Sequence, residues 1–271
     1  MKYHAIALSI LSLAAASPHA WALAPASKLN CTQSGLVVNG LVSYCQLREV
    51  TLPPADSFTV TTVNGSVSVQ TWDGPGILVR TKVQTAARNE YLAESLAGLV
   101  VVDTTSGIVA VTGPSTNSHQ TWSARLEIFV PPATAVNVTT INGSIAVSDV
   151  QGPVGINSVN GSVSLLRLGG NVEVRGVNGS IFLGVGGEHW AGQSVDVKTV
   201  NGAIEIDVPA DCSARVTASV VLGLINTNFP VQIPTGWGMF GKTLTFDVGS
   251  GGPATIRVAT TLGTIQIRRE D

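Results

Sequence analysis

Charged residues are scarce in this sequence: Asp, Glu, Lys and Arg together make up 12% of its 271 residues, about half the usual share of a soluble domain. The net charge is −2, and Lys and Arg form no run anywhere in the chain. Nucleic-acid-binding domains need a basic patch, and proteins that bind acidic lipids through a polybasic segment need one too. The composition therefore excludes nucleic acid as an expected partner.

Residues with acid–base or metal-binding chemistry are equally rare. Beyond the first twenty residues only His119 and His189 remain, and neither has the spacing of a metal ligand relative to other candidates. No G-x-S-x-G motif occurs, and the glycine-rich stretch 184–187 does not lead into the Lys-Ser/Thr of a phosphate-binding loop. We therefore expect no catalytic residue, no cofactor and no metal ion.

The only long apolar stretch lies at the N-terminus. Lys2 precedes an apolar segment from Ala5 to Ala16, and Ala20-Trp21-Ala22 fits a small-x-small cleavage site. This pattern predicts a signal peptide over residues 1–22 and export to the periplasm, the cell surface or the medium. No later segment has 18 uninterrupted apolar residues, so we expect no transmembrane helix in the mature chain.

Three cysteines are present. In an oxidising compartment Cys31 and Cys45, which lie in the polar segment 23–56, are expected to form a disulfide that stabilises a segment with little core of its own. Cys212 has no predicted partner, and a buried, inert thiol is expected there.

Glycine is abundant, with 29 residues, and β-branched residues fill much of the remainder, which predicts strands and tight turns. The sequence V/I-N-G-S/A-V/I recurs around five glycines. Around each of them, apolar residues occupy offsets −7, −5, −2, +2 and +4. The same offsets, with Thr at −2 or a weaker match, identify three further copies. The eight predicted turn glycines are Gly65, Gly107, Gly143, Gly161, Gly179, Gly202, Gly223 and Gly263.

Each copy is interpreted as a strand, a corner and a second strand, because alternation on both sides of the glycine places one face of each strand inward. Two all-β architectures fit this pattern. In a β-solenoid each repeat of roughly 18–23 residues forms one coil, and all five apolar positions of a copy face the core. The corner then shifts the alternation of inward and outward side chains by one residue. In a sandwich of antiparallel hairpins, Asn-Gly is a hairpin turn and the −2 residue faces outward. We favour the solenoid, because the −2 residue is apolar in six of the eight copies.

The repeats divide the chain into a signal peptide (1–22), an N-terminal cap segment (23–56) and a repeat β domain (57–271). Two stretches interrupt the period, near 84–98 and 228–247. The first includes 86–96, where Leu92 and Leu96 share one side of a predicted short amphipathic helix.

The run Phe58 to Trp72, the repeated NGSV and NGSI corners, Val130-Pro131 at the end of a strand, and the stretch His189 to Pro209 resemble the bacterial "putative adhesin" family. The resemblance covers most of 56–269. It implies an exported β-solenoid-type envelope domain of unknown ligand, with no catalytic residues to transfer to this chain.

One weak candidate for a surface binding patch is a group of charged residues at outward offsets: Glu173, Arg175, Asp196, Lys198, Glu205 and Asp207. The favoured function is non-enzymatic binding or scaffolding in the cell envelope, with an unknown glycan or protein as ligand. Two alternatives stay open. One is an envelope stress-response or regulatory component that binds a protein or lipid, and the other is a carbohydrate-active solenoid enzyme, which needs clustered carboxylates.

Overall fold

The computed structural model describes residues 24–32, 34–105, 107–185, 190, 192–209, 212–232 and 241–270. The predicted signal peptide and His189 lie outside these residues. Within them the chain is all-β, with one short helix, α1 (Glu90–Gly98). The strands are β1 (Val37–Val38), β2 (Leu41–Leu52), β3 (Ser57–Asn64), β4 (Val67–Thr71), β5 (Ile77–Ala87), β6 (Val101–Thr105), β7 (Ile108–Thr112), β8 (Thr121–Val130), β9 (Ala135–Asn142), β10 (Ile145–Ser148), β11 (Val154–Asn160), β12 (Val163–Leu168), β13 (Val172–Asn178), β14 (Ile181–Val185), β15 (Ser194–Asn201), β16 (Ile204–Pro209), β17 (Ala214–Thr227), β18 (Lys242–Val248) and β19 (Ala254–Glu270).

Equivalent positions of successive repeats are paired in parallel. Val136, Val154, Val172 and Val195 are neighbours on β9, β11, β13 and β15. After the corner, Ile145, Val163, Ile181 and Ile204 are neighbours on β10, β12, β14 and β16. One repeat is therefore one step across the sheet, about 4.8 Å. We call the strand before a corner, the corner and the strand after it a rung.

The spatial order of the rungs differs from their order in the chain at both ends. β3 and β4 lie between β7 and β8 on one side and β9 and β10 on the other. The long strand β19 lies between β15–β16 and β17. Antiparallel pairs complete both ends: β17 with β18, and β8 with β5, β5 with β2 and β6 with β7. The sheet as a whole is mixed.

The apolar residues at −7, −5, +2 and +4 form one core between the strands that precede the corners and those that follow them. In the rung of Gly161 these are Val154, Ile156, Val163 and Leu165, all at most 2% exposed. Because alternation places every second side chain on the same face, this core was predictable from the four offsets alone.

The prediction that the −2 residue also faces the core is wrong for most rungs, although Val63 of the Gly65 rung is partly buried against the core. Ile141, Val159, Val177 and Val200 are 39–43% exposed. Inward and outward side chains alternate regularly before the corner, so the residues at −7, −5 and −3 point inward. The alternation shifts by one residue at the glycine, so the inward positions after the corner are +2 and +4. The buried −3 position is taken by hydroxyl residues in most rungs: Thr62, Thr140, Ser158, Thr199 and Thr260.

Seven of the eight predicted turn glycines lie at stacked corners. A Cβ atom on Gly143 would lie 2.0 Å from the carbonyl oxygen of Gly65, and one on Gly161 would lie 2.1 Å from that of Gly143. Gly107 is different, because it lies in the turn of the antiparallel β6–β7 hairpin. The backbone of Ala124 takes the corner position beside Gly65 instead. The copy of Gly107 therefore forms a hairpin turn, whereas the other seven glycines lie at stacked corners.

A second stacked corner follows β10 and β12, at the ends of these strands away from the glycine corners. A Cβ atom on Gly170 would lie 2.4 Å from the carbonyl oxygen of Gly152. Shortly before this corner, Asp149 and Arg167 have left-handed backbone conformations, with φ of 66° and 50°. Their side chains form a two-point ion pair, Nε to Oδ1 at 2.6 Å and Nη2 to Oδ2 at 2.8 Å. The pair therefore joins two adjacent rungs at their edge.

The two interruptions of the period contain regular structure. Residues 86 and 87 still belong to β5, and the helix starts only at Glu90, where the Asn89 side chain accepts a hydrogen bond from the backbone N–H of Leu92. Leu96 is buried, whereas Leu92 is 38% exposed. In the second interruption, residues 242–247 belong to β18, which pairs with β17.

The N-terminal segment is held by a disulfide and by side-chain contacts. The predicted Cys31–Cys45 disulfide is confirmed. Arg80 Nη1 donates to the carbonyl oxygen of Pro25, and Ser27 Oγ donates to Glu127 Oε2. These contacts hold residues 24–32, which we call the strap, against β5 and β8. Cys212 was expected to be buried, but its side chain is partly exposed.

Candidate functional site: the corner ridge

A row of asparagine side chains runs along the stacked corners. Each amide donates to the asparagine of the preceding rung: Asn142 to Asn64 at 3.0 Å, Asn160 to Asn142 at 3.0 Å, Asn178 to Asn160 at 2.9 Å and Asn201 to Asn178 at 3.0 Å. The row ends at Leu262, which pairs with Asn201 in the next rung. The internal amides are therefore both donors and acceptors, which fixes their orientation.

The exposed −2 residues lie directly beside this row. Ile141, Val159, Val177 and Val200 present branched aliphatic side chains to solvent. On the other side of the glycines, Ser144, Ser162 and Ser180 are exposed. We call these three parallel rows, −2, −1 and +1, the corner ridge. It is an uncharged surface on which aliphatic, amide and hydroxyl groups repeat once per rung.

The ridge is possible because the corner residue is glycine. Gly179 has φ of +143°, which other residues rarely adopt, and a Cβ atom there would lie 2.3 Å from the carbonyl oxygen of Gly161. The backbones of adjacent corners can approach this closely only without a side chain between them. The glycine therefore sets the regular spacing of the groups on either side of it.

A depression lies at the far end of the ridge, over β15, β19, β17 and β18. Its volume is about 520 Å³, and its lining includes Val200, Val221, Ala259 and Thr261. The ammonium group of Lys242 at its edge donates to the carbonyl oxygen of Gly223 at 2.7 Å. The apolar row thus ends in a concave surface.

The predicted charged patch is divided between two groups of strands. Glu173 and Arg175 lie on β13, in register with Asp196 and Lys198 on β15. Each carboxylate forms an ion pair with the cation two residues further along its own strand. The like charges on adjacent strands are therefore compensated within each strand.

Glu205 and Asp207 lie on β16, which follows the corner and so belongs to the other group of strands. Both form ion pairs with Arg268 of β19, and Arg268 Nε lies 2.8 Å from Asp207 Oδ1. The hydrogen bond to Asp207 raises the pKa of Arg268. Sequence reasoning did not include Arg268, although it has the same +5 offset from Gly263 that Asp207 has from Gly202. The ion pair fixes both carboxylates in a structural contact.

The described residues contain no group of three or more His, Cys, Asp or Glu side chains that could hold a metal ion. His119 is exposed, and its Nδ1 lies 3.2 Å from Ser118 Oγ. The helix Glu90–Gly98 is too short to cross a membrane, and no other helix among the described residues is long and apolar enough to do so.

No protein-family model and no curated protein matches the sequence. Solved structures with some likeness include a "putative cell adhesion protein" from Clostridium sporogenes ATCC 15579, with 12% identity and a TM-score of 0.46 over 83% of this chain and 100% of that one. A "putative adhesin" from Bacteroides fragilis NCTC 9343 has 12% identity and a TM-score of 0.43 over 83% of this chain and 97% of that one. A "putative lipid binding protein" from Parabacteroides distasonis ATCC 8503 has 10% identity and a TM-score of 0.26 over 84% of this chain and 97% of that one. The family suggested by the NGSV corners stays a prediction.

Proposed function

We propose that this chain is an exported, non-enzymatic binding domain of the cell envelope and that the corner ridge is its binding surface. In this proposal residues 1–22 are a signal peptide, 23–56 cap one end, and 57–271 form a β-solenoid-type repeat domain. The parallel pairing of equivalent positions across β9, β11, β13 and β15 supports the solenoid architecture. The Cys31–Cys45 disulfide supports export to an oxidising compartment.

The observation that carries the proposal is the row of exposed aliphatic residues beside the asparagine row. Ile141, Val159, Val177 and Val200 are each 39–43% exposed, at positions that a purely structural strand would fill with polar residues. A contiguous apolar strip with polar borders is typical of an interaction site. The ridge has the regular shape of a binding surface and lacks the paired carboxylates of a glycosidase.

The chemistry of the ridge favours an uncharged, extended polymer. The ridge contains no charged residue, so long-range electrostatic attraction does not contribute to recognition. Aliphatic side chains pack against apolar faces of a ligand, and hydroxyl and amide groups form hydrogen bonds with its polar edges. Because both kinds of group repeat at about 4.8 Å, a polymer that lies along the ridge meets the same contacts at every rung. A neutral polysaccharide of the envelope has these properties.

Co-sedimentation with insoluble polymers tests the proposal. The purified chain is mixed with cell-wall sacculi and with insoluble neutral polysaccharides, and the bound fraction is measured after centrifugation. The variant Val159→Glu/Val177→Glu places two charges on the ridge, and we expect it to lose at least about ten-fold in affinity for the polymer that the parent binds. Soluble sugar release is measured in the same samples and should stay at the level of the protein-free control.

The matched control is Ala146→Glu/Ser164→Glu. These two residues are in register on β10 and β12 and lie on the outer face after the corner. This variant adds the same charge to two neighbouring rungs, one of which also carries Val159, and should bind like the parent. Equal loss in both variants, or release of sugar by the parent, would contradict the proposal.

A further inference from the structure

A second surface lies beneath the strap, and it is positively charged, whereas the ridge is uncharged. The strap, β5, β8 and the first corner enclose a groove of about 460 Å³. Three cations line it: Lys28 of the strap, Lys82 of β5 and Arg125 of β8. The other polar side chains in its lining include Ser66, Gln84 and Ser123, and no carboxylate contributes to it.

Two of these cations lie directly opposite each other. Lys82 and Arg125 are partners in the antiparallel register of β5 and β8, so their side chains point to the same face. Like charges in this position destabilise a sheet. None of the ion pairs among the described residues includes Lys28, Lys82 or Arg125. The groove therefore holds positive charge that the described chain leaves uncompensated.

The nearest carboxylates on this face are engaged elsewhere. Glu127 accepts hydrogen bonds from Ser27 Oγ and from the backbone N–H of Lys28, and Arg80 lies 3.7 Å from it. Glu49 pairs with the same Arg80 at 2.6 Å. Both acids are thus paired with Arg80, and Glu127 is also covered by the strap, whereas the Glu49 side chain is 56% exposed. With Arg80 counted, this face has four cations and two carboxylates, so it keeps a net positive charge on the side of the groove.

The geometry of Arg125 also favours an anion. Its Nε donates to Ser66 Oγ at 3.1 Å, which orients the guanidinium group, and its terminal amino groups form no hydrogen bond within the described chain. A fixed guanidinium binds a carboxylate or phosphate through two parallel hydrogen bonds. Gln84 lies opposite Ser123 one step further along the same face, and together they provide an amide and a hydroxyl for neutral polar groups.

We propose that this groove binds an acidic saccharide, with the anionic group of the sugar between Lys82 and Arg125 and its hydroxyls on Gln84, Ser123 and Ser66. The volume is that of a small-ligand site, which accommodates one or two sugar units. The strap provides the third cation, Lys28, and the Cys31–Cys45 disulfide anchors its end. This site adjoins the first corner and takes a ligand whose charge differs from that proposed for the ridge.

Isothermal titration calorimetry at low ionic strength tests the proposal with trigalacturonic acid, neutral galactotriose and inorganic phosphate as probes. We expect trigalacturonic acid to bind, galactotriose to show no heat, and phosphate to bind at least ten-fold more weakly than the acidic sugar. Lys82→Gln/Arg125→Gln should lose at least ten-fold in affinity for trigalacturonic acid. This variant removes a repulsive pair, so its melting temperature should not fall.

The matched control is Arg88→Gln/Arg257→Gln, which removes two exposed cations outside the groove and should keep the parent affinity. The ridge variant Val159→Glu/Val177→Glu should also bind trigalacturonic acid like the parent, so a failure of the ridge and a failure of the groove are distinguishable. Equal binding by the groove variant and the parent would overturn the proposal, as would equal affinity for the neutral and the acidic sugar. If phosphate bound as tightly as the acidic sugar, the groove would recognise only a negative charge and no part of the sugar. This result would overturn the assignment to a saccharide.

Discussion

The side-chain amide of Asn142 donates to Asn64, a residue 78 positions earlier in the chain, at 3.0 Å, the same distance at which Asn160 donates to Asn142 over 18 positions. The row of amides is therefore continuous across a point where the chain leaves the stack and returns. Between the two asparagines the chain forms β5, the helix, β6, β7 and β8 before it re-enters beside β3 and β4. The ridge is a property of the assembled rungs and not of one uninterrupted stretch of sequence.

Replacement of an internal asparagine tests the contribution of the amide row to stability. Asn160→Ala removes one hydrogen bond to Asn142 and one from Asn178. Because both bonds are exposed to solvent, we expect the free energy of unfolding to fall by about 1 kcal/mol. Urea denaturation measures the change. Asn157→Ala on the same strand is the control, since Asn157 is exposed and forms no side-chain hydrogen bond among the described residues. Equal effects of the two variants would show that the amide bonds contribute nothing.

The close approach of the corners predicts a large effect of a single methyl group. In Gly179→Ala the new Cβ would lie 2.3 Å from the carbonyl oxygen of Gly161, in a backbone conformation with φ of +143°. Neither backbone can shift without disturbing the neighbouring rungs, so we expect a loss of at least about 2 kcal/mol. Thermal and urea unfolding measure it.

The control for this glycine is Gly184→Ala. Its Cβ would lie 3.5 Å from Leu166, an ordinary contact, and alanine there should change the free energy of unfolding by less than about 1 kcal/mol. Similar losses at Gly179 and Gly184 would contradict the stacked corner.

Two valines on β13 test whether the −2 residues point to solvent, because one lies in the core and the other lies in the −2 row. Val174 is fully buried and Val177 is 40% exposed. We expect Val174→Ala to cost about 2 kcal/mol of unfolding free energy, because it leaves a cavity, and Val177→Ala to cost less than about 1 kcal/mol. Reversed values would place the −2 row in the core.

The limits of the sequence analysis follow from these same positions. The offsets −7, −5, +2 and +4 identified core residues such as Ile156 and Leu165 because alternation is a local property of each strand. The −2 position contradicts the expectation because aliphatic side chains predict burial, whereas those of Ile141, Val159, Val177 and Val200 are exposed. The signal for the correct face is the residue at −3, such as Thr140 or Ser158, which continues the inward positions −7 and −5 and is buried.

The order of the rungs was not predictable from the offsets. All copies have the same pattern, so the sequence contains no local signal that β19 lies between β16 and β17, or that β3 lies between β7 and β9. Gly107 matched the pattern although its strands are antiparallel, because alternation is identical in both arrangements. The groove beneath the strap was not predictable for a related reason. Lys28, Lys82 and Arg125 are far apart in the sequence, so no local run of cations indicates that they line one site.

The ion pair between Asp149 and Arg167 predicts a pH dependence of stability. The hydrogen bond from Arg167 is the main cause of a lowered pKa of Asp149. A carboxyl whose pKa is lower in the folded state stabilises the fold above its unfolded pKa of about 3.9, and this contribution is lost as the pH falls through the folded value. Arg167→Gln should therefore reduce the free energy of unfolding at pH 7 by less than about 1 kcal/mol, because the pair is exposed, and the difference from the parent should vanish in acid.

Urea denaturation of the parent and of Arg167→Gln between pH 7 and about pH 2.5 measures this difference. The control is Arg257→Gln, since Arg257 takes part in none of the ion pairs among the described residues. A difference that stays constant in acid, or one of equal size in the control, would show that Arg167 acts through something other than the carboxylate of Asp149.

We expect the disulfide to keep the strap ordered without contributing much to the stability of the repeat core. Cys31 and Cys45 close a short loop, and a cross-link of this length restricts the unfolded segment by about 3 kcal/mol. In Cys31→Ser/Cys45→Ser we expect faster proteolytic cleavage between residues 24 and 44 and weaker binding of trigalacturonic acid, with little change in the unfolding of the repeat core. Limited proteolysis followed by mass spectrometry checks the first effect and calorimetry the second. Unchanged cleavage would mean that the contacts of Arg80 and Glu127 hold the strap without the disulfide.

The most direct test of the central claim is covalent footprinting of the chain on the polymer that it binds, with carbene labelling read out by mass spectrometry. We expect the labelling of Ile141, Val159, Val177 and Val200 to fall on binding, while the labelling of Ala146, Ser164 and Phe182 on the outer face after the corner does not change. Protection of that outer face with an unprotected ridge would contradict it.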